Sequence, residues 1–362
     1  MVEGKVISIG NVAYVLGMSS KRLHRWYEEV LSGFREAEAA GEIGKDDLII
    51  RQAGVEKRIR VAILKPENMG EHLAVDEKTI DQVCYTVLSN RDTGKIIGMA
   101  DTLKTEHLAR IFAHLPNCYH VKSLTRDMAA NYAWLGHQLF PNAYQVIDKF
   151  HVVKNALEYV SDIRVRYRQK ELERERLAKE AFELGQKQRK EKCEQNGTAY
   201  RAIKYKADEV CFANGDTLKQ LLARSRWVLF KERAKWTPSQ KERAAILFKK
   251  YPEIHKSYVL IQELRVWYRK TSPGVYYQKT RQRKQEELKA WIRKAKESDI
   301  YEMKNLAHTI DRHSVGIANF FYKSESNAKA EALNSRIQHF IHVNYGARNT
   351  DYFMFRLQKH FA

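Results

Sequence analysis

The sequence predicts an α/β fold: a mixed sheet interrupted by a large α-helical insertion and preceded by a pair of short helices. Three observations carry this. Residues 71–100 run as short apolar, β-branched segments split by an Asp-Thr-Gly turn, the signature of hairpin-linked strands. Residues 161–310 abandon that pattern for stretches such as RVRYRQKELERERLAKEAFELGQKQRKEK, which read as long charged helices. Residues 11–31, NVAYVLGMSSKRLHRWYEEVL, place a glycine between two helical stretches.

Composition bounds what such a fold is for. The 362 residues carry 64 Lys and Arg against 44 Asp and Glu, a formal charge of +20, which points to a polyanionic partner, nucleic acid before a membrane surface. The four cysteines, Cys84, Cys118, Cys193 and Cys211, form no C-x-x-C pair, so neither a zinc ribbon nor a disulfide framework is expected, and a reduced cytoplasmic setting fits. MVEGKVISIG has no basic segment followed by an apolar core, and no run approaches the roughly 18 apolar residues of a membrane helix. A soluble chain with no membrane partner is expected.

In the N-terminal pair, Ala13 permits close approach of the two helices, Gly17 takes the left-handed turn conformation, and Leu23 and Trp26 face back onto the first helix. This is a helix-turn-helix pattern over residues 1–35. Its second helix would enter the major groove of double-stranded DNA, with Ser19, Ser20, Lys21, Arg22 and Arg25 toward the bases. An ordinary helical hairpin on a core is the plain alternative. Residues 36–69 read as a linker with one short strand, RIRVAIL, closing on Pro66 and Gly70.

From residue 70 the order is strand, strand, strand, helix, strand, helix, strand. HLAVDEKTI carries Asp76, QVCYTVLSN and KIIGMAD complete a meander, TEHLARIFAHL is helical, and CYHVKSL is a strand followed by Asp127. AANYAWLGHQLF is helical, and YQVI ends at Asp148, three residues before His151. This order, with acids ending the first and fourth strands, resembles the ribonuclease-H-like fold of polynucleotidyl transferases. First and fourth strands are neighbours there, so Asp76 and Asp127 would converge and hold divalent ions by their oxygens. Each acid also has a plain reading: Asp127 suits the N-cap of the helix it precedes, and His151 suits a satisfied core position.

The helical insertion, 161–310, alternates basic and aromatic residues (Tyr167, Tyr200, Tyr205, Trp227, Trp236, Tyr268, Tyr276 and Tyr277), which suits either nucleic-acid contacts or a scaffold. In SESNAKAEALNSRIQHFI, Asn327, Glu331 and Asn334 fall at i, i+4 and i+7, a polar stripe on a helix whose Ala332, Ile337, Phe340 and Ile341 face a core.

Together VIDKFHVVKNA, SNAKAEALNSRIQ and YGARNTDYFMFRL, with FPNA ahead of the first, resemble the ISL-three family of bacterial insertion-sequence transposases over residues 70–360. The resemblance implies a DDE triad on a ribonuclease-H-like core split into 70–160 and 311–362, using Mg²⁺ with Mn²⁺ as a substitute. It implies Asp76, Asp127 and Glu331 as catalytic and metal-binding residues, with Asp148 and His151 auxiliary, or Asp148 as the second aspartate in place of Asp127. Asn327 and Asn334 join Ser19, Lys21, Arg22 and Arg25 as DNA contacts, and a homodimer or larger synaptic assembly is expected. Family members commonly begin with a zinc ribbon. This chain has no cysteine before residue 84, so that module is missing or supplied by a separate zinc-ribbon protein. The alternatives are a transposase-derived, non-catalytic DNA-binding regulator and a nuclease that cleaves without strand transfer.

Overall fold

The computed structural model describes residues 7–52, 54–207, 211–269, 277–321, 328–344 and 349–362, with the backbone alone at 52, 277–279 and 328–331. The chain divides into two compact units. One comprises Met1–His151, Val275–Gln282 and Val315–Ala362; the other comprises Val152–Gly274 and Arg283–Ser314.

The first unit opens with α1 (Ile9–Val15), α2 (Ser20–Trp26) and α3 (Phe34–Ala39). Gly17 sits at φ +63°, the left-handed turn that the glycine predicts. Ile9, Val12, Ala13, Leu23, Tyr27 and Phe34 are buried together with Tyr352 from the far end of the chain. Trp26 does not face inward as expected: it is 45% exposed, and Tyr27 fills that place. Leu23 and Tyr27, about one helical turn apart, share the buried side, and Trp26 at the preceding position falls outside it; a single π turn over Tyr27–Leu31 follows α2.

Residues 36–69, expected as a linker with one short strand, carry three strands. β1 (Leu48–Gln52) and β2 (Val55–Ile59) form an antiparallel hairpin, and β3 (Val61–Leu64) joins the main sheet as its edge. That sheet is mixed and six-stranded. β4 (His72–Ile80), β5 (Val83–Asn90) and β6 (Lys95–Ala100) make the antiparallel meander, while β7 (Ser123–Arg126) pairs parallel to β4 and β8 (Tyr144–Ile147) parallel to β7. The order is β3-β6-β5-β4-β7-β8. Cys118–His120 is a short 3₁₀ turn rather than the start of a strand, because Asn117 takes a left-handed conformation just before it.

Strand alternation gives the sheet two buried faces. On one, Leu73, Val75, Leu88 and Leu124 pack against α4 (Thr105–Phe112) and α5 (Ala130–Leu139) through Leu108, Phe112, Tyr132 and Leu135. Gly98 of β6 lies so close to Phe112 that an added Cβ would meet its ring at 2.4 Å; glycine is what lets the ring settle on the strand. On the other face, Ile63, Ile80, Tyr85, Val87 and Met99 meet Leu333, Ile337 and Phe340 of α14 (Ala328–Val343) and Phe353 and Leu357 of α15 (Thr350–Phe361). Ala332, expected in this core, is exposed; Leu333 takes its position. Asn319 of α13 (Ser314–Asn319) donates to the Gln145 carbonyl at 2.7 Å, satisfying a backbone acceptor on edge strand β8.

α6 (Lys149–Gln195) begins directly after Asp148 and leads into the second unit. There α7 (Leu218–Arg224), α8 (Arg226–Phe230), α9 (Pro238–Lys250), α10 (Pro252–Arg269), α11 (Tyr277–Lys296) and α12 (Tyr301–Arg312) follow. Two Thr capping boxes, at Thr217 and Thr237, start α7 and α9. Arg166 ties the long helix to Glu253 at 2.8 Å and to Glu302 at 2.7 Å. Several of the aromatics weighed as nucleic-acid contacts serve as core instead: Trp236 and Tyr268 are buried, and Tyr167 packs on Tyr251 with ring centroids 4.5 Å apart. Trp227 stays exposed, with the Arg226 guanidinium over its ring. Tyr276 lies outside the described residues. Among the described residues no helix is long and apolar enough to cross a membrane.

Candidate active site

Three aspartates meet at one level of the sheet. β4 and β7 pair His72 with Ser123, Leu73 with Leu124 and Ala74 with Thr125, and this register, carried two residues further, sets Asp76 beside Asp127. β7 and β8 pair Ser123 with Tyr144 through to Arg126 with Ile147, and one residue further sets Asp127 beside Asp148. In parallel strands, residues in register share a face. Asp76, Asp127 and Asp148 therefore fall on a line across three neighbouring strands, and all three line one narrow cleft with Ser89, Thr125, His151 and Asn334.

Local chemistry differs among the three. Asp76 Oδ2 accepts a hydrogen bond from Asn334 Nδ2 at 2.6 Å, Oδ1 accepts one from the Glu77 backbone N–H at 2.8 Å, and His151 Nε2 lies 3.7 Å from Oδ1. Burial holds the Asp76 carboxyl above the usual carboxylate range; the hydrogen bonds and His151 work against burial, and the nearby Asp148 charge works with it. Asp127 Oδ1 accepts from the Ala129 N–H at 2.8 Å, and Asp148 Oδ1 accepts from the Phe150 N–H at 2.9 Å. Each of these two thus uses one carboxylate oxygen in a turn at the start of the following helix. Asp148 is the more enclosed, 9% exposed.

Sequence reasoning missed several groups that support this edge. The buried Arg126 guanidinium donates from Nε to Gln145 Oε1 and from NH1 to the Asp127 carbonyl at 2.8 Å, fixing the turn that carries Asp127; burial brings its pKa down to about 10. Lys78, two residues beyond Asp76 on the same face, donates to the Asn334 carbonyl at 3.2 Å, and burial lowers its pKa. Tyr132 Oη is hydrogen-bonded to Glu77 Oε1 and Thr86 Oγ1, each at 3.1 Å, beneath the strand. An aspartate followed two residues later by an amphipathic lysine was the one visible signal; the partners lie too far along the chain to be paired by spacing.

Glu331 lies on α14, one turn toward its N-terminus from Asn334. Asn327 lies outside the described residues. Asn334, expected as a DNA contact, spends its amide on Asp76. Ser19 precedes α2, and Lys21, Arg22 and Arg25 are exposed along it, with Arg25 Nε 3.2 Å from Glu29 Oε1. These residues are built on α2 and share no contact with the acidic cleft that is recorded among the described residues.

The cleft fits a hard divalent cation. No group of three or more His, Cys, Asp or Glu side chains among the described residues is placed to hold a metal ion by itself. An open site of one or two carboxylates, completed by water and substrate oxygens, is what Mg²⁺ prefers. The Asp148 charge opposes ionisation of Asp76 in the cleft, and the buried Thr125 Oγ1 beside them has no hydrogen-bond partner among the described residues.

No curated protein matches the chain, and no solved structure does. A family model of the DDE and ISL-three type, described as "Transposase", matches residues 73–357, from β4 to the last turn of α15. The chain belongs to the ISL-three family of transposases.

Proposed function

We propose that this transposase cleaves insertion-sequence ends and joins the freed 3′-hydroxyl to target DNA by DDE chemistry on a ribonuclease-H-like sheet. The observation that carries this is the alignment of Asp76, Asp127 and Asp148 across β4, β7 and β8, with the helix that bears Glu331 bonded to Asp76 through Asn334. The strand order β6-β5-β4-β7-β8, with Asp76 on the first strand and Asp127 after the fourth, supports Asp127 as the second catalytic aspartate.

In this reading Asp76, Asp127 and Glu331 are the ligands of two Mg²⁺ ions, for which Mn²⁺ substitutes. When bound, the pair supplies electrostatic stabilisation of the attacking and leaving oxygens at the phosphodiester. The protein's own contribution is positioning. Arg126 holds the Asp127 turn, Asn334 holds Asp76, and Asp148 with His151 shapes the edge beside Asp76. Water attacks the phosphorus at the element end, the 3′-oxygen leaves and takes a proton, and the resulting hydroxyl attacks the target phosphodiester, giving up its proton as the target strand's own 3′-oxygen leaves and is protonated. Residues 1–35 act as a helix-turn-helix, with Ser19, Lys21, Arg22 and Arg25 toward double-stranded DNA. The chain works as a homodimer or larger synaptic assembly, since two ends must be joined.

Excision of a marked element from a plasmid tests the triad. Asp127→Asn is expected to abolish excision and Asp148→Asn to leave partial activity; the reverse pattern makes Asp148 the ligand and Asp127 a helix-start residue. For the N-terminal helices, replacing Arg22 and Arg25 together by Ala is expected to weaken duplex binding about tenfold and to reduce the slope of log affinity against log salt by roughly 2. Unchanged affinity in a fluorescence titration would mean that α1 and α2 serve only the fold.

A further inference from the structure

We infer that Asn334 and Lys78 form a two-point latch that sets the register of α14 on β4, and so the position of Glu331 relative to Asp76. This rests on the metal-dependent reading of the cleft. The latch is made at one residue of the helix and two of the strand. Asn334 Nδ2 donates to Asp76 Oδ2 at 2.6 Å, and Lys78 Nζ donates to the Asn334 carbonyl at 3.2 Å. Asp76 and Lys78 are two apart on β4 and so project from the same face.

The rest of the α14 contact is apolar. Leu333, Ile337 and Phe340 pack against strand residues of the sheet. Apolar packing holds a helix down but discriminates weakly between neighbouring positions along it, whereas a short hydrogen bond to a carboxylate has one geometry. A slip of α14 by one turn moves Glu331 by about 5.4 Å, more than the separation of the two metals that bridge such a site. Asn334 is thus a positioning residue: it bonds one oxygen of Asp76 and touches neither substrate nor metal. Using its amide this way also removes it from the set of free DNA contacts.

The test compares Asn334→Ala, Lys78→Met and Asp76→Asn in the full chain by three readouts. These are Mn²⁺ binding to the DNA-free protein by electron paramagnetic resonance, affinity for a short fluorescein-labelled duplex in Ca²⁺, and the Mg²⁺ concentration giving half-maximal cleavage. Alanine is a better helix former than asparagine, so Asn334→Ala is expected to fold, with unfolding followed by circular dichroism as the check. The expected result is a 10–100-fold loss of Mn²⁺ affinity in Asn334→Ala, of the size that groups orienting a metal ligand typically show. A smaller loss in the same direction is expected in Lys78→Met, with duplex affinity unchanged in both and the Mg²⁺ requirement raised in parallel. Reduced duplex affinity with unchanged Mn²⁺ binding overturns the latch and makes Asn334 a DNA contact. If Asp76→Asn loses Mn²⁺ and Asn334→Ala does not, the latch alone fails; if Asp76→Asn binds Mn²⁺ as well as the unaltered chain, the metal reading itself fails and takes the latch with it.

Discussion

Asp76→Asn is expected to remove strand cleavage, by roughly a thousandfold or more, while duplex binding persists and the metal-free protein melts higher than the unaltered chain. The two halves of this result share one cause. Burial raises the Asp76 pKa in the folded protein above its value in the unfolded chain, so the ionised carboxylate costs stability at neutral pH. That cost vanishes as the pH falls through the folded-state value, where the group takes up its proton. An asparagine carries no charge for burial or Asp148 to oppose; its amide oxygen still accepts from the Glu77 N–H, and its NH2 group meets Asn334 as a donor once the Asn334 amide turns over to present its oxygen. Activity is thereby exchanged for stability, as at many sites built to receive a cation. Oligonucleotide cleavage and thermal unfolding monitored by circular dichroism check the two halves. A variant that cleaves removes Asp76 from the triad, and one that melts lower shows that the Asp76 hydrogen bonds outweigh its burial.

Phe112→Ala is expected to be the most damaging single change in the core of the first unit, costing about 3–5 kcal/mol. Phe112 is wholly buried between α4 and the sheet. Its ring rests on Gly98, which offers no side chain of its own to refill the space. Denaturant titration of the variant should show the loss, against His114→Ala on the exposed side of the same segment, which is expected to stay within about 0.5 kcal/mol of the unaltered chain. A Phe112 variant that unfolds near the unaltered midpoint would mean that α4 collapses onto β6.

The mixed sheet was legible because its strands alternate with period two and are split by strong turn residues, and because helices of opposite period separate β6, β7 and β8. The acids were legible as residues ending apolar runs. Their alignment was not. Register across β4, β7 and β8 is set by two crossover connections whose geometry the chain does not spell out, so three aspartates at one level read as competitors for a single role. Asn334 meets Asp76 across 258 positions of sequence, and no local pattern announces such a bond. Trp26 failed for a different reason: a helix returns to one face at both the third and the fourth residue, and after Leu23 it is Tyr27, the fourth, that takes the inward place. The short strand of residues 36–69 was visible, whereas its membership in the main sheet depends on pairing with β6, a long-range contact.

The burial of Tyr352 among Ile9, Val12, Leu23 and Phe34 has a consequence for how the protein is made. Phe34 also packs edge-on against Tyr352 and Phe355, Asn349 bonds Glu28, and Lys359 reaches the Ser32 carbonyl. Helices α1–α3 are therefore completed by α15, which is translated long after them. At about 5–20 residues per second, their apolar side waits on the order of tens of seconds for its cover. Loss of α15 would strip the same helices of that cover, so a lesion at Tyr352 or Phe355 should be as harmful to α1–α3 as one within them.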